Sequence, residues 1–414
     1  MKKLLQKWTQ SSLILRIFCG LVLGAILGLL VPQWTGIGIL GQVFVGALKA
    51  VAPVLVAVLV MSSIARAKGG LGPRFRTVII LYLLTTFIAA LVAVSGSFLF
   101  PVTIDLKGGE AGELPGGLAD IFAGLLNNMV ANPVLSLTTA NYMGILFWSV
   151  IIGVAIRITR SQTVITFMGE LSNVVSLAVK WIIQFAPFGI LGLVFSSVSE
   201  GGLEIFTDYG RLLLLLVGCM LVTSLIVNPL LATIFLRKNP YPLLWQCLKE
   251  SGISAFFTRS SAANIPMNMA LCKKLGLDEE FYSVSIPLGS TINMDGAAVT
   301  ITVLTLAVAN TLGMYVSFGS ALLLSVLATL GACGASGVAG GSLLLVPMAC
   351  SLYGIPQDIA MQVVGVGFII GVVQDSIETA LNSSGDVMFA ATAEFRQWIK
   401  EGRELPDILG GKSK

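Results

Sequence analysis

The chain has 414 residues, of which 56% are apolar and 11% are charged. A soluble domain is typically about 25% charged, so this composition excludes an ordinary soluble protein and indicates a polytopic membrane protein. The net charge of +4 is too small to indicate nucleic-acid binding, and the absence of histidine argues against Ser-His or Cys-His catalysis and against a zinc or haem site. The six cysteines form no CxxC pair and are interpreted as buried apolar residues.

The first part of the chain contains six apolar stretches that are long enough to cross a bilayer, which takes about 20 residues. The first stretch is too long for a signal peptide, and no small-x-small cleavage site follows it, so we interpret it as an uncleaved helix. The polar connections are short and leave no separate soluble domain. The predicted crossings are 13–31, 40–64, 76–101, 130–156, 164–195 and 211–236.

Charge alternates along the connections between these crossings. Basic connections lie at 66–76, 157–160 and 237–238, and acidic ones lie at 102–120 and 200–208. Because basic loops face the cytoplasm, the pattern predicts alternating sides without a violation, with both basic termini in the cytoplasm.

The second half follows a different pattern. Residues 239–272 lie between two basic clusters, so this segment has to enter and leave on one side. Its polar run at 258–266 does not suit a continuous membrane helix, because Ser and Asn compete for backbone hydrogen bonds and Pro removes one. Residues 318–354 repeat the arrangement from the other side around a glycine-rich run at 331–341. Ordinary crossings are predicted at 283–311 and 358–398.

The predicted fold is therefore an all-α polytopic membrane protein with eight transmembrane helices and two re-entrant helical hairpins arranged as inverted repeats. Irregular backbone at membrane depth is tolerated only where it is buried in protein or lines a cavity. A pair of interrupted segments in corresponding positions is a good indicator of a transport site. The alternative is a loosely packed pair of ordinary helices with surface glycines.

Polar residues interrupt the crossing at 283–311. Residues 290–297 include Asn293 and Asp295, although an aspartate at a helix centre costs about 2.5–3.5 kcal/mol on insertion scales. Local unwinding would free carbonyl oxygens, which together with the Asp295 carboxylate would suit Na⁺. The alternative is that Asp295 pairs with a basic side chain.

A second set of polar residues lies on the last crossing. At 100° per residue these side chains share one stripe about 100° wide, and a polar stripe on a membrane helix faces a cavity or the bundle interior. A juxtamembrane amphipathic helix is the alternative. The pair Thr85 and Thr86 is a weaker signal on its own, because such threonines usually bond their own helix. The stripe consists of Asp375, Glu378, Thr379, Asn382 and Asp386.

Several of these motifs together resemble a known family, the dicarboxylate/amino acid:cation symporters or glutamate transporter superfamily. The resemblance covers nearly the whole chain. Its motifs are the Asn-Met-Asp-Gly sequence at 293–296, the serine-rich run at 258–266, the glycine-rich run at 331–341, and the segments 382–386 and 186–189.

The resemblance implies a transport domain that moves across the membrane against a scaffold, like an elevator, in a homotrimer in the bacterial cytoplasmic membrane. Residues 12–66 would form scaffold helices 1 and 2, and residues 119–200 would form scaffold helices 4 and 5. Residues 75–101 would form transport helix 3, and residues 211–400 would form the rest of the transport domain.

The resemblance also implies roles for individual residues. Asp375 would take the α-ammonium group of an amino acid substrate, Asn382 and Ser261 would contact its α-carboxylate, and Gly334 would close over it. One sodium site would use Asp386 with the carbonyl groups of Gly289, Asn293 and Asn382. A second would use the carbonyl groups of Thr291, Thr329, Leu330 and Ala332 near the Met294 sulfur. A third would use Asp295, Asn293, Thr85 and Thr86.

One departure from the family pattern concerns substrate choice. Members that carry acidic substrates have an arginine in the last helix where this chain has Glu378. A glutamate there would repel a side-chain carboxylate, which predicts a small neutral substrate, serine or threonine, with Thr379 and Ser383 near its hydroxyl group. Arg259 is the predicted partner of Glu378. Gly371, where relatives often have Asp, is a second departure with no assigned effect.

Three other classes of protein share single features with this sequence or its predicted fold. Residues 334–337 resemble a rhomboid nucleophile motif, but such proteases need a histidine. An ATP-driven pump would need a P-loop, which the chain lacks. An ion channel is a stronger rival, because broken hairpins also build pores. The prediction is a Na⁺-coupled amino acid symporter with no enzyme activity. A Na⁺- or H⁺-coupled acidic amino acid or dicarboxylate symporter is the alternative within transporters.

Overall fold

The structure is a computed structural model that describes residues 13–66, 72–104, 106, 127, 129–139, 141–202, 205–333 and 340–409. The described residues form helices and their connections, with no strand among them. Several features used above lie wholly or partly outside them: the N-terminal basic run, the basic connection at 66–76, most of the acidic connection at 102–120, the tip at 334–339 with Gly334, and the last five residues.

The described residues of the first half form seven α-helices, and their positions follow the predicted crossings with two differences. The crossing predicted at 130–156 is a short helix followed by a longer one. The crossing predicted at 164–195 bends by 51° at Phe185, next to Pro187, which cannot continue a helix ladder. The helices are α1 (Leu13–Leu30), α2 (Gly38–Arg66), α3 (Gly72–Leu99), α4 (Pro133–Thr138), α5 (Tyr142–Thr159), α6 (Gln162–Gln184) and α7 (Ala186–Gly201).

Several helices of the second half are short and are joined by local irregularities, whereas the last one has 44 residues. Two π turns, Thr223–Val227 and Leu248–Gly252, widen otherwise continuous helices, and a 3₁₀ turn covers Ser342–Leu345. The helices are α8 (Ile205–Val222), α9 (Asn228–Leu236), α10 (Tyr241–Cys247), α11 (Ile253–Thr258), α12 (Ser261–Lys274), α13 (Glu279–Ile292), α14 (Asp295–Thr311), α15 (Phe318–Ala332), α16 (Val346–Ser351) and α17 (Gln357–Lys400).

Among the described residues, four helical segments are long and apolar enough to cross a membrane, and the bent pair α6 and α7 makes a fifth if it forms one span. The four segments are Pro73–Leu99, Thr207–Leu236, Glu279–Thr311 and Gln357–Lys400. The segment Thr207–Leu236 contains the first π turn, Thr223–Val227. Helices α8 and α9 therefore form one long span.

The helices of the first half pack largely on one another. Helix α1 lies along α7, and α2 packs against α5, α6 and α7. The approach of α1 to α7 is close: a Cβ atom on Gly24 would lie 2.5 Å from the carbonyl oxygen of Leu191. A larger side chain at this position would force the two helices apart.

Helix α17 lies at the centre of the second half. It packs against α3, α11, α12, α13 and α14, and most of its 44 residues are buried. At one end of this bundle, Arg74 of α3 links the start of α13 to α17. It donates a hydrogen bond of 2.6 Å to Asp278 and lies 3.6 Å from Glu394 of α17. The hydrogen bond from Arg74 holds the pKa of the exposed Asp278 carboxyl below its usual range.

Candidate substrate and cation site

The span that carries the Asn-Met-Asp-Gly sequence is broken at two residues. Helix α13 ends at Ile292 and α14 begins at Asp295, while Asn293 (φ −94°, ψ 75°) and Met294 (φ −117°, ψ 53°) are not helical. A break of this kind frees carbonyl groups from the helix ladder. The predicted unwinding is confirmed, although it is narrower than the eight residues expected.

The polar stripe of α17 is buried inside the protein, as predicted. None of its five side chains is more than 6% exposed. The alternative of a juxtamembrane amphipathic helix is wrong, because such a helix would expose its polar face. A buried polar stripe has to find hydrogen-bond partners or bind a ligand.

Asn293 lies at the centre of the buried cluster next to the break. Its Nδ2 donates to Asp386 Oδ1 at 3.0 Å and to the carbonyl oxygen of Asn382 at 3.1 Å. Its Oδ1 accepts a hydrogen bond from the Thr85 hydroxyl at 3.3 Å. Asn293 therefore joins α17 and α3 at the point where the span is broken.

Asp295 is held by two neutral donors. The Thr86 hydroxyl donates to Oδ1 at 3.1 Å, and the Asn228 Nδ2 donates to Oδ2 at 3.1 Å. The alternative that Asp295 pairs with a basic side chain is wrong for the described residues, whose ion pairs do not include it. Thr85 and Thr86 therefore contact Asn293 and Asp295, the other two residues predicted for the third sodium site.

Gly289 and Tyr82 shape the other side of this cluster. Tyr82 donates from its hydroxyl to the carbonyl oxygen of Asp386 at 3.0 Å. A Cβ atom on Gly289 would lie 2.8 Å from Asp386 Oδ1 and 2.9 Å from the Tyr82 hydroxyl oxygen. The glycine therefore allows the Asp386 carboxylate to approach the backbone of α13, as the predicted first sodium site requires.

Asn382 is held by the residues around the break. Its Oδ1 accepts from the Gly296 backbone N–H at 2.8 Å, and its Nδ2 lies 3.4 Å from the Met294 sulfur. A thioether sulfur is a weak acceptor. The Nδ2 group can therefore exchange Met294 for a stronger acceptor such as a carboxylate, which suits the role predicted for Asn382.

The donor set of this cluster suits Na⁺. Asp386 Oδ2 is buried and has no hydrogen-bond partner among the described residues, so an oxygen is left for a cation. Carboxylate, amide and carbonyl oxygens are hard ligands of the kind that Na⁺ uses in transporters. No three His, Cys, Asp or Glu side chains of the described chain come together as a transition-metal site would require.

The four carbonyl groups predicted for the second sodium site belong to two segments, the end of α13 and the end of α15. The two segments meet where the Cys333 sulfur lies 3.5 Å from the Ile292 carbonyl oxygen. The use of Thr291, Thr329, Leu330 and Ala332 for sodium stays a prediction.

Arg259 pairs with Asp375, and the predicted pairing with Glu378 is wrong. The Arg259 Nε lies 2.7 Å from Asp375 Oδ2, and its Nη2 donates to the Gly371 carbonyl at 3.2 Å. The left-handed backbone of Arg259 (φ 52°) turns the chain between α11 and α12 and places this side chain against α17. Gly371, which had no assigned effect, supplies a carbonyl partner for the guanidinium.

The Asp375 carboxylate joins the two segments predicted to form hairpins. Its Oδ1 accepts from the Gly340 backbone N–H at 3.2 Å, while Oδ2 binds Arg259. Gly340 is the first described residue after the tip at 334–339. A substrate ammonium group would therefore share or replace existing partners of Asp375, and this role stays a prediction.

Glu378 is held by neutral donors. Its Oε2 accepts from the hydroxyls of Thr300 at 2.7 Å and Ser342 at 2.9 Å and from the Gln374 Nε2 at 2.5 Å. Three donors on one oxygen fit a carboxylate, which is acceptor-only when ionised. Glu378 thereby ties α14 and the 3₁₀ turn to α17.

The hydroxyl groups predicted to meet the substrate side chain have other partners. Thr379 donates to the Asp375 carbonyl of its own helix at 2.7 Å. Ser383 faces α12 and accepts from Asn264 Nδ2 at 2.8 Å and Asn268 Nδ2 at 3.0 Å. These hydrogen bonds turn the Ser383 hydroxyl towards α12, and its substrate contact stays a prediction.

This Ser383 cluster leads to a stability prediction. Ser383→Ala removes the hydroxyl that accepts from both Asn264 and Asn268, while the Ser251 carbonyl and the Ser383 backbone carbonyl remain as acceptors for the two amides. Each hydrogen bond lost contributes about 0.5–1.5 kcal/mol. We expect thermal unfolding of the detergent-purified protein to occur at a clearly lower temperature. The matched control is Ser376→Ala on the same helix, because the buried Ser376 hydroxyl bonds only the Val372 carbonyl. An equal, small effect of both changes would contradict the prediction.

Ser261 is buried at the first position of α12. The preceding Ser260 caps this helix by accepting the Ala263 backbone N–H at 3.2 Å. The irregular run predicted at 258–266 is therefore much shorter, with only Arg259 and Ser260 outside the helices. Free N–H groups at a helix start can bind a carboxylate, and the substrate contact of Ser261 stays a prediction.

Five buried residues of the site were not found by sequence reasoning. Only the packing of the helices shows that these side chains converge. The clearest signals were the Asn-Pro pair at 228–229 and the glutamine one turn before Glu378. The five are Tyr82, Asn228, Thr300, Ser342 and Gln374.

The charges of the described site do not balance. Four buried carboxylates, Asp295, Asp375, Glu378 and Asp386, lie in it with a single buried guanidinium, that of Arg259. Uncompensated charges in a protein interior are very costly. The site therefore needs bound cations or protons.

The family model described as the sodium:dicarboxylate symporter family matches residues 13–394. This chain belongs to that family. It is 58% identical over 403 residues to a protein of Bifidobacterium adolescentis named serine/threonine transporter SstT, covering 97% of this chain and 94% of that one. It is 55% identical over 402 residues to a protein of the same name from Streptococcus thermophilus, covering 97% and 100%. It is 57% identical over 396 residues to another from Streptococcus agalactiae, covering 95% and 98%.

Membership in the sodium:dicarboxylate symporter family confirms the predicted class of protein, a multi-pass membrane transporter rather than an enzyme. The all-helical fold with several long apolar spans and one bent pair agrees with it. The cluster around Asn293 and Asp375 is the candidate for the site at which such a transporter binds its ions and substrate.

Proposed function

We propose that the protein imports serine, threonine and related small neutral amino acids by symport with Na⁺. The observation that carries this proposal is the excess of buried carboxylates over the single guanidinium of Arg259. Sodium ions and the substrate ammonium group are the cations that would balance them. The relatives named as serine/threonine transporters support this substrate class.

The charges near Asp375 and Glu378 support a neutral substrate. The only buried guanidinium of the described site already binds Asp375, so it is not free to clamp a side-chain carboxylate. An acidic side chain would instead meet Glu378, and like charges in a buried site cost several kcal/mol. These contacts disfavour the alternative of an acidic amino acid or dicarboxylate substrate.

In the proposed arrangement, eight transmembrane helices and two re-entrant hairpins form a scaffold and a moving transport domain. The packing of α1 and α2 on α5 to α7 supports a scaffold built from 12–66 and 119–200. The packing around α17 supports a transport domain built from 75–101 and 211–400. We further propose a homotrimer in the bacterial cytoplasmic membrane, with both termini in the cytoplasm.

Specific residues take specific roles in this proposal. Asp375 takes the substrate ammonium group, Asn382 and Ser261 contact its carboxylate, Gly334 closes over it and Thr379 lines the pocket. The proposed Na⁺ sites are the set of carbonyl groups of Thr291, Thr329, Leu330 and Ala332 near Met294, and two sites with a carboxylate. In these two, Asp386 acts with the carbonyl groups of Gly289, Asn293 and Asn382, and Asp295 acts with Asn293, Thr85 and Thr86. The buried hydrogen bonds that join Asn293, Asp295 and Asp386 to α3 and α17 support these assignments.

Uptake into proteoliposomes tests the proposal. We expect labelled serine to accumulate against its gradient when Na⁺ is outside, and to stop accumulating when choline replaces Na⁺. One net positive charge moved inward is worth about 2.3 kcal/mol per 100 mV, which corresponds to roughly fifty-fold accumulation at about 1.4 kcal/mol per decade. Equal, concentrative uptake in choline would overturn sodium coupling.

The same preparation separates the rival functions. Competition by unlabelled threonine, alanine, aspartate and glutamate defines the substrate class, and strong inhibition by aspartate would favour the acidic-substrate alternative. A pH gradient applied without Na⁺ tests proton coupling. Flux that only equilibrates serine, without accumulation, would indicate a channel.

A further inference from the structure

Asn228 begins helix α9 at an unusual point of the chain. It directly follows the π turn Thr223–Val227 and precedes Pro229. A π turn inserts an extra residue into a helix and redirects the side chains that follow it, and such turns are frequent at functional sites. Asn228 is only 2% exposed, although it lies on a segment that is otherwise rich in apolar residues.

The Asn228 amide makes one strong contact and leaves one group without a partner. Its Nδ2 donates to Asp295 Oδ2 at 3.1 Å, whereas its Oδ1 is buried and has no hydrogen-bond partner among the described residues. The opposite orientation of the amide would place an oxygen against the carboxylate of Asp295. The contact with Asp295 therefore fixes which end of the amide stays free.

The Asn228 amide belongs to the cluster around the helix break. A Cβ atom on Gly385 would lie 2.8 Å from the Asn293 Nδ2 and 3.9 Å from the Asn228 Nδ2, so both amides reach the same point of α17. Asp386 Oδ2 in this cluster also lacks a partner. A buried acceptor without a partner costs about 1–3 kcal/mol, and a cation that several such oxygens coordinate would remove this cost.

We propose that Asn228 is part of the Na⁺ site at Asp295. Its Nδ2 orients the Asp295 carboxylate, and its Oδ1 is an additional neutral oxygen ligand for the ion. A neutral amide adds an oxygen to this site without adding another negative charge to a cluster that already holds Asp295 and Asp386. The inference rests on the proposed Na⁺ coupling, and it assigns a residue that the resemblance does not include.

The experiment measures Na⁺ binding directly, through the rise in the melting temperature of the detergent-purified protein as NaCl replaces choline chloride. For Asn228→Leu, which removes both polar groups at similar size, we expect the Na⁺ concentration for the half-maximal rise to increase at least tenfold. The serine concentration for half-maximal uptake at saturating Na⁺ should change less than twofold. Thr223→Val is the matched control, because the buried Thr223 hydroxyl bonds only the Cys219 carbonyl of its own helix.

The outcomes separate the inference from the function on which it rests. If the unmodified protein shows no Na⁺-dependent stabilisation and no Na⁺-dependent uptake, sodium coupling itself fails. If it shows both and Asn228→Leu keeps the same Na⁺ dependence, Asn228 has only a structural role and the inference is overturned. Asn228→Ala provides a second, smaller replacement. If neither variant folds at any Na⁺ concentration, Asn228 is a folding determinant and the assignment falls.

Discussion

Replacing Asp375 by asparagine is expected to reduce the uptake of every amino acid substrate by about a hundredfold or more, because a hydrogen bond to a charged group contributes about 1.5–3 kcal/mol and an unpaired buried ammonium costs more. The comparison is made in proteoliposomes at equal protein content. Asp358→Asn on the same helix is the control, because Asp358 is exposed at the first turn of α17, and uptake by that variant should be normal.

Because Asp375 also pairs with Arg259, the change Asp375→Asn affects stability as well as substrate binding. Asp375→Asn removes the carboxylate partner of a buried guanidinium, and breaking a buried ion pair on one side destabilises a protein by about 3–5 kcal/mol. Loss of uptake could therefore follow from loss of the fold. The double change Asp375→Asn with Arg259→Gln removes both charges, and we expect it to recover thermal stability.

Recovered stability without recovered uptake would show that Asp375 acts on the substrate as well as on Arg259. Serine uptake by the double variant at the level of the unmodified protein would remove the ammonium assignment. Arg259→Gln alone serves as the third corner of the cycle. It leaves Asp375 without its guanidinium partner but still bonded to the Gly340 backbone, so an intermediate stability is expected.

The sequence predicted those features of the site that are set within a single helix. The break at Asn293 and Met294 followed from polar residues in an apolar span, and the buried stripe of α17 followed from 100° steps along a helix. The same rule explains the position of Ser383. Eight residues after Asp375, it points roughly 80° away from that residue and lies outside the stripe, so it faces α12.

The sequence could not decide contacts between helices. Asp375 and Glu378 are on the same stripe, and the choice of Arg259 between them depends on how deep the turn between α11 and α12 reaches along α17. Asn228 was missed for a similar reason, because the π turn that redirects it has no distinct residue pattern. In both cases the deciding quantity is a distance between segments far apart in the chain.

Glu378→Gln is expected to weaken the exclusion of acidic substrates. The glutamine keeps an oxygen that can accept from Thr300, Ser342 and Gln374, so the local packing should persist while the negative charge is lost. Like-charge contact across a buried site costs several kcal/mol. Removing even about 1.4 kcal/mol of this cost lowers the aspartate concentration that half-inhibits serine uptake by tenfold, and a shift of at least that size is expected.

The measurement is inhibition of labelled serine uptake by aspartate, with alanine as a neutral competitor whose effect should not change. Glu394→Gln is the matched control: Glu394 is also a buried carboxylate of α17, but it accepts from the Asp278 backbone and lies near Arg74, away from the stripe. If both variants shift aspartate inhibition equally, the effect is one of overall charge, and Glu378 does not act locally. If aspartate already inhibits the unmodified protein strongly, Glu378 does not set selectivity at all. A shift confined to Glu378→Gln and to acidic competitors places the selectivity on this one carboxylate, because Glu394→Gln removes the same charge from the same helix.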